Sequence, residues 1–145
     1  MLFLYFTTIY TIKIHDKIIK ISGGANGILN IGIVESVLGY IQNDDYYLDL
    51  EDKLTHLVFA INKGHAVQDS NKRTSIALGA FFLELNGLDS IVSKFIMEME
   101  NIAVHVADNR IDKQLLYEIM ESLIYEEEYP EELKLKIIYT LTREA

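Results

Sequence analysis

The sequence predicts an all-α protein, because helical periodicity recurs along most of its length and strand signals are sparse. One proline and eight glycines interrupt its 145 residues, so long stretches can stay helical. Hydrophobic residues make up 50% of the chain and charged residues 24%, the balance of a globular domain rather than a disordered chain. We therefore expect a single domain over residues 1–145, built as a compact helical bundle around a buried central helix.

Three helices are predicted in the first half of the chain. Residues 10–21 place isoleucines among polar partners and stop at a glycine-rich turn. Residues 32–42 form a short second helix with apolar side chains at helical spacing. The third begins near Leu50 and ends at Lys63, followed by a glycine in the place typical of a helix C-terminus.

The fourth predicted helix, residues 74–85, differs from the others in being apolar on every side. A helix of that kind is buried, so it should run through the centre of the domain and stop at Asn86-Gly87. Two more helices are predicted at about residues 90–106 and 112–125. A last helix begins after Pro130, with the proline suited to a first-turn position.

Charge and cysteine content exclude several classes of function. The net charge of −9 repels phosphate backbones, so we expect no direct nucleic-acid binding, and any bound phosphate must meet a local basic island. The absence of cysteine excludes disulfides, thiolate zinc sites and a cysteine nucleophile. The apolar start, residues 1–6, lacks the basic region of a signal peptide, and no apolar window of about 18 residues exists. We expect a cytoplasmic protein that does not bind membranes.

One segment, Gly64-His65-Ala66-Val67-Gln68-Asp69-Ser70-Asn71-Lys72-Arg73-Thr74, concentrates reactive groups. His65 lies just after a helix end, and Asp69 or Ser70 can cap the buried helix that follows. The first turn of that helix presents unpaired N–H groups and its positive dipole end. Lys72 and Arg73 oppose that dipole by roughly 0.3–1 kcal/mol each, and a bound anion would remove the conflict.

These residue types suit transfer from a nucleotide to a hydroxyl. One carboxylate, here Asp69, together with phosphate oxygens and water, is a usual way of holding Mg²⁺. His65 is mostly neutral at pH 7 and can accept a proton. Positioning, charge and modest acid–base help are what phosphoryl transfer requires. On spacing alone, the simpler explanation is favoured: a loop histidine, a helix cap and two solvated cations.

The segment resembles the signature of the Fic/Doc family, and its Asn71-Lys72-Arg73 ending is similar to the death-on-curing (Doc) branch. AMP-transferases of the family usually carry glycine where Lys72 stands. The resemblance covers roughly residues 8–125, so we expect the core there and a C-terminal helical extension over residues 126–145. It extends to four segments outside the motif: residues 15–16, 23–27, 35–38 and 86–87.

This resemblance implies a toxin of a bacterial toxin–antitoxin pair, a kinase that phosphorylates a threonine of elongation factor Tu and blocks translation. It implies ATP as co-substrate, Mg²⁺ as cofactor and a cognate antitoxin as partner. His65 would be the catalytic base and Asp69 would bind Mg²⁺. The nucleotide phosphates would be held by four residues: Ser70, Asn71, Lys72 and Arg73. AMP transfer onto a protein hydroxyl stays an alternative, as does a degenerate member that only binds a partner.

Three further expectations follow from the resemblance. Val67 stands where the family usually has phenylalanine. Valine buries less apolar area, which lowers the stabilisation from burial by about 1–1.5 kcal/mol and would loosen the placement of His65. Residues 43–50, which include Tyr46 and Tyr47, would form the flap on which the target docks; taken without the resemblance, they are equally well explained as an acidic surface loop. The tail carries the spacing of an inhibitory helix twice, at Ser122 to Glu126 and at Thr140 to Glu144, without the following Gly or Asn. We expect restraint from a separate antitoxin instead.

Overall fold

The computed structural model describes residues 2–22, 31–64 and 68–143. Within these ranges the chain is all-α, as predicted, with no strand. A short 3-10 turn, Asp89–Ile91, directly precedes the fifth helix. The helices are α1 (Thr8–Ser22), α2 (Ile31–Ile41), α3 (Leu50–Lys63), α4 (Gln68–Leu85), α5 (Val92–Ala107), α6 (Lys113–Tyr125) and α7 (Glu131–Thr142).

The predicted helices are found in order, with small differences at their starts. Asp112 caps α6, because its side chain accepts a hydrogen bond from the Leu115 backbone at 2.8 Å. Pro130 is the N-cap of α7 and not a first-turn residue. The apolar part of α4 was correctly predicted, but the helix itself begins six residues earlier, at Gln68.

The predicted central helix is α4, which packs against α1, α3 and α5. Leu78, Phe82 and Leu83 on this helix are fully buried. At Gly79 the neighbouring helices come so close that an added Cβ would lie 2.6 Å from Phe95 Cζ and 2.9 Å from Val58 Cγ2. The glycine therefore sets the spacing of α3, α4 and α5.

The first turns of α3 hold the preceding loop and the N-terminal segment in place. The Lys53 side chain is fully buried, and its Nζ donates to the Ile41 carbonyl and to Asp44 Oδ1, both at 2.6 Å. The same ammonium lies 5.1 Å from the centre of the Phe3 ring. This buried cation is paired and hydrogen-bonded, which is the condition for burying a charge at tolerable cost.

The other end of α3 is fastened to the end of α5. The Asn62 amide donates to the Ala103 carbonyl at 3.0 Å, and Lys63 Nζ donates to the Val106 carbonyl at 3.1 Å. Lys63 also donates to the side chain of Asn109, whose backbone is left-handed with φ 62°. These contacts fix the point from which the chain enters the motif segment.

The last two helices complete the bundle, with α6 packed against α3 and α7 packed against α6. The α6 helix runs antiparallel to α3, since Lys113 contacts His56 and Tyr125 donates to Glu51 at 2.8 Å. The α7 helix packs on α6 through buried Leu133 and Ile137. None of the helices in the described ranges is both long enough and apolar enough to span a membrane.

Candidate phosphate-binding site

The motif segment joins the end of α3 to the start of α4. His65, Ala66 and Val67 lie outside the described residues, as do the side chains of residues 68–70. The roles predicted for His65, Asp69 and Ser70, and the effect expected from Val67, therefore stay predictions. Asn71, Lys72 and Arg73 are described, and they occupy the end of the first turn and the start of the second turn of α4.

The start of α4 differs from the predicted cap. Because the helix begins at Gln68, Asp69 and Ser70 are its second and third residues and neither occupies the N-cap position. The first N–H groups of a helix have no acceptor within it, and among the helical residues of α4 they belong to residues 68–70. The positive end of the α4 dipole thus lies beside Asp69 and Ser70.

Two buried polar side chains in this region lack partners. Asn71 and Thr74 are almost completely buried. Within the part of the chain that the structure describes, Asn71 Nδ2 and Thr74 Oγ1 make no hydrogen bond. Residues three apart share a helix face, so the two groups lie side by side. Leaving such groups unpaired costs about 1–3 kcal/mol each, and an amide N–H and a hydroxyl are suitable donors to phosphate oxygens.

The cations of the motif are placed differently from one another. Lys72 is half-buried, with its carbonyl accepting a hydrogen bond from Ser75 Oγ at 2.7 Å, whereas Arg73 is exposed. Lys63, the last residue of α3, adds a third positive charge at the same end of the bundle. In a chain of net charge −9, these residues supply the local positive charge that the predicted phosphate site requires.

The described residues contain no group of three His, Cys, Asp or Glu side chains that could hold a metal ion. The predicted magnesium site uses the one carboxylate of the motif, Asp69, together with phosphate oxygens and water. Because the Asp69 side chain lies outside the described residues, this site stays a prediction. Asn71, two residues further along α4, has an amide N–H that could donate to a phosphate oxygen.

Gly64, which follows the last residue of α3, has little room for a side chain. Its φ of −69° is ordinary right-handed helix, so the left-handed stop typical of helix-ending glycines is absent. An added Cβ would lie 3.1 Å from the Ala60 carbonyl oxygen and 3.5 Å from Ile33 Cγ2. The N-terminal end of α2 therefore packs directly beside the start of the motif.

Residues 43–50, predicted to form the flap, lead into the start of α3. The motif follows the 14 residues of that helix, and Tyr47 stacks on His56 in the middle of it. Tyr46 is exposed, and docking of a target on this loop stays a prediction. A cavity of about 770 Å³ lies near the start of α3, lined by Leu48, Leu50 and Leu85 among others.

Sequence reasoning missed a polar cluster in the middle of the bundle. His56 Nδ1 lies 2.8 Å from Lys113 Nζ and 3.2 Å from the Tyr47 hydroxyl, and the Tyr47 and His56 rings stack with centres 4.6 Å apart. Burial, and then the positive charge of Lys113, lower the pKa of His56 to about 4. The neutral imidazole joins the 43–49 loop, α3 and α6, and its partners are too far apart in sequence to show a motif.

The two candidate inhibitory spacings, Ser122 to Glu126 and Thr140 to Glu144, lie in different surroundings. Ser122 is buried in α6, and Glu126 follows at the end of α6 that lies against Glu51, away from the motif. The first candidate inhibitory spacing is therefore on the wrong side of the molecule. Glu144 of the second lies outside the described residues, although Arg143 before it has its carbonyl bonded to Arg110 Nη1 at 2.7 Å.

Comparisons with known proteins identify the family. The sequence profile of the Fic/DOC family matches residues 5–83, more than half of the chain. The protein named "Protein kinase doc" from Escherichia phage P1 is 32% identical over 104 residues, covering 69% of this chain and 79% of the phage protein. No solved structure matches. The chain belongs to the Fic/Doc family, and within it the phage P1 kinase is a relative that shares most of its length.

Proposed function

We propose that this protein is a Doc-type toxin that transfers the γ-phosphate of ATP to a hydroxyl of a target protein. The observation that carries the proposal is the start of α4, where the buried Asn71 Nδ2, which has no hydrogen-bond partner among the described residues, lies next to Lys72 and Arg73 in the helix. The similarity to a phage kinase supports phosphotransfer. A toxin of this type is restrained by a cognate antitoxin, and a threonine of elongation factor Tu is the proposed target.

The chemistry assigned to the site is in-line displacement at the γ-phosphorus. The bond from this phosphorus to the β,γ-bridging oxygen breaks as a bond to the target hydroxyl oxygen forms, leaving ADP. His65 accepts the hydroxyl proton. The phosphate oxygens are bound by the helix N-terminus at Ser70 and by the side chains of Asn71, Lys72 and Arg73. The same groups stabilise the negative charge that develops on the leaving ADP. Asp69 would hold a magnesium ion, which would supply further neutralisation of the phosphate charge.

Labelling with α- and γ-labelled ATP tests this function. Purified protein, Mg²⁺ and elongation factor Tu should give label on the target from the γ-position only. His65→Ala should lower that labelling by at least about 100-fold, the size of a general-base contribution. The same two labels applied to whole bacterial lysate identify the target if elongation factor Tu stays unlabelled.

The alternatives give different results in the same assay. Label from the α-position identifies AMP transfer and overturns the kinase assignment, including the role given to Lys72. A binding-only protein gives no label in purified target or lysate, and its growth arrest survives His65→Ala. Nucleotide binding without any label would also contradict the proposed transfer.

A further inference from the structure

The C-terminal helix α7 carries two apolar faces. Leu133 and Ile137 are buried against the bundle, while Leu135, Ile138 and Tyr139 are 58%, 57% and 69% exposed. Positions 135, 138 and 139 have the i, i+3, i+4 spacing of a single helix face. A surface helix normally presents charged residues to water on its outer side, so this outward apolar face is typical of a surface that meets another molecule.

The charges around this face determine which arrangement of two helices fits it. Glu131 precedes Leu135 by four residues, and Arg143 follows Tyr139 by four residues. If two copies of α7 pack antiparallel with Leu135 of one opposite Tyr139 of the other, Glu131 of each copy faces Arg143 of its partner. Ile138 then lies within one residue of the two-fold axis.

The parallel arrangement has no such match. It would align Glu131 and Glu132 with their own copies, and like charges at close range are destabilising. The antiparallel arrangement also sets the helix dipoles in opposite directions, which is favourable. The neighbouring cation Lys136 is held on the other side by Glu118 at 2.8 Å, so it does not interfere with the outer face.

We propose that the outer face of α7, made of Leu135, Ile138 and Tyr139, is a self-association surface on which two copies of this chain pair antiparallel. Because an isologous interface uses the same patch on both copies, the Glu131–Arg143 contact occurs twice. The shared surface is small, so we expect a dissociation constant on the order of 10–100 µM. The inference concerns a surface outside the motif and does not depend on the proposed reaction.

Sedimentation velocity of the full chain over about 1–500 µM tests the dimer. The wild type should shift from monomer to dimer with concentration, and Ile138→Lys should raise the dissociation constant by at least about tenfold by placing two like charges near the axis. Met97→Lys is the matched control, because Met97 is an equally exposed apolar side chain on α5. It should leave the dissociation constant unchanged.

A charge swap tests the register. Glu131→Arg should weaken association, and adding Arg143→Glu in the same chain should restore it, a rescue that a purely structural role for either residue would not give. A monomer at every concentration overturns the proposal. So does a dimer that resists Ile138→Lys, or a double variant that stays as weak as Glu131→Arg.

Discussion

Asn71 is a residue at which nucleotide binding and the stability of the fold can be tested separately. Its side chain is buried in the first turn of α4, and its amide nitrogen has no hydrogen-bond partner among the described residues. Replacing a buried unpaired polar group by an apolar group of similar shape is neutral or stabilising. The unpaired amide thus lowers the stability of the fold at the place where the proposed function needs a hydrogen-bond donor to a phosphate oxygen.

We predict that Asn71→Leu keeps or raises thermal stability and loses the stabilisation that Mg-ATP gives the wild type. A ligand at 100 times its dissociation constant stabilises by about 2.7 kcal/mol, and losing one hydrogen bond to a charged phosphate oxygen weakens binding by about 1.5–3 kcal/mol. Thermal unfolding with and without Mg-ATP measures both effects without requiring the target protein.

Asn62→Leu is the matched control. Asn62 is equally buried, but its amide donates to the Ala103 carbonyl, so its loss leaves that carbonyl unpaired and destabilises by about 1–3 kcal/mol. It should keep the Mg-ATP response. If Asn71→Leu behaves as Asn62→Leu does, Asn71 serves the fold and not the nucleotide.

At the scale of the helices, most of the fold was predictable because each helix carries its own local signals. The apolar pattern of α4 predicted its central position correctly, and the glycine after Lys63 correctly marked the end of α3. The start of α4 was not predictable from that pattern, because polar residues 68–73 continue the helix without adding to its apolar face. The contact of Tyr47 with His56 and Lys113 was not predictable either, because it depends on how α6 packs against α3.

Gly39 and Gly79, which lie inside helices, also show what sequence alone does not predict. Both lie within a helical pattern, and only the packing around them distinguishes their roles. Gly39 in α2 has open space around its Cα, whereas a Cβ on Gly79 would clash with Phe95 and Val58. We predict that Gly79→Ala destabilises by about 1–3 kcal/mol through overpacking. Gly39→Ala should stabilise by about 0.5–1 kcal/mol through helix propensity.

Urea unfolding of the two variants beside the wild type measures both changes. Because both substitutions add one methyl group to a helix, propensity contributes equally and the difference between them reports packing alone. Equal free energies of unfolding for the two variants would mean that α3 and α5 can move apart at Gly79 without cost.

On the scale of the whole molecule, the polar cluster of Tyr47, His56 and Lys113 makes stability depend on pH. It joins the loop before α3 to the body of α3 and to the start of α6. The groups that face the His56 ring are the Lys113 ammonium, the Tyr47 hydroxyl and the edge of Tyr40. None of these is an anion that would stabilise imidazolium.

The sign of the effect follows from where the proton binds. His56 has a pKa of about 4 in the folded chain, against 6.5 as a free side chain, so the unfolded chain binds the proton more tightly. Its contribution to stability is complete above pH 6.5 and is lost as the pH falls from 6.5 towards 4. The partial exposure of the ring moderates the size of this loss.

We predict that the free energy of unfolding of the wild type falls between pH 7 and pH 4.5 more steeply than that of His56→Gln, whose side chain does not titrate. Urea unfolding at four pH values measures the two slopes. In Lys113→Met the positive charge is gone while burial remains, so NMR titration should find a His56 pKa above that of the wild type and still below 6.5. Equal slopes in wild type and His56→Gln, or a wild-type His56 that titrates near 6.5, would show that the imidazole is not held neutral by the junction of α3, α6 and the 43–49 loop.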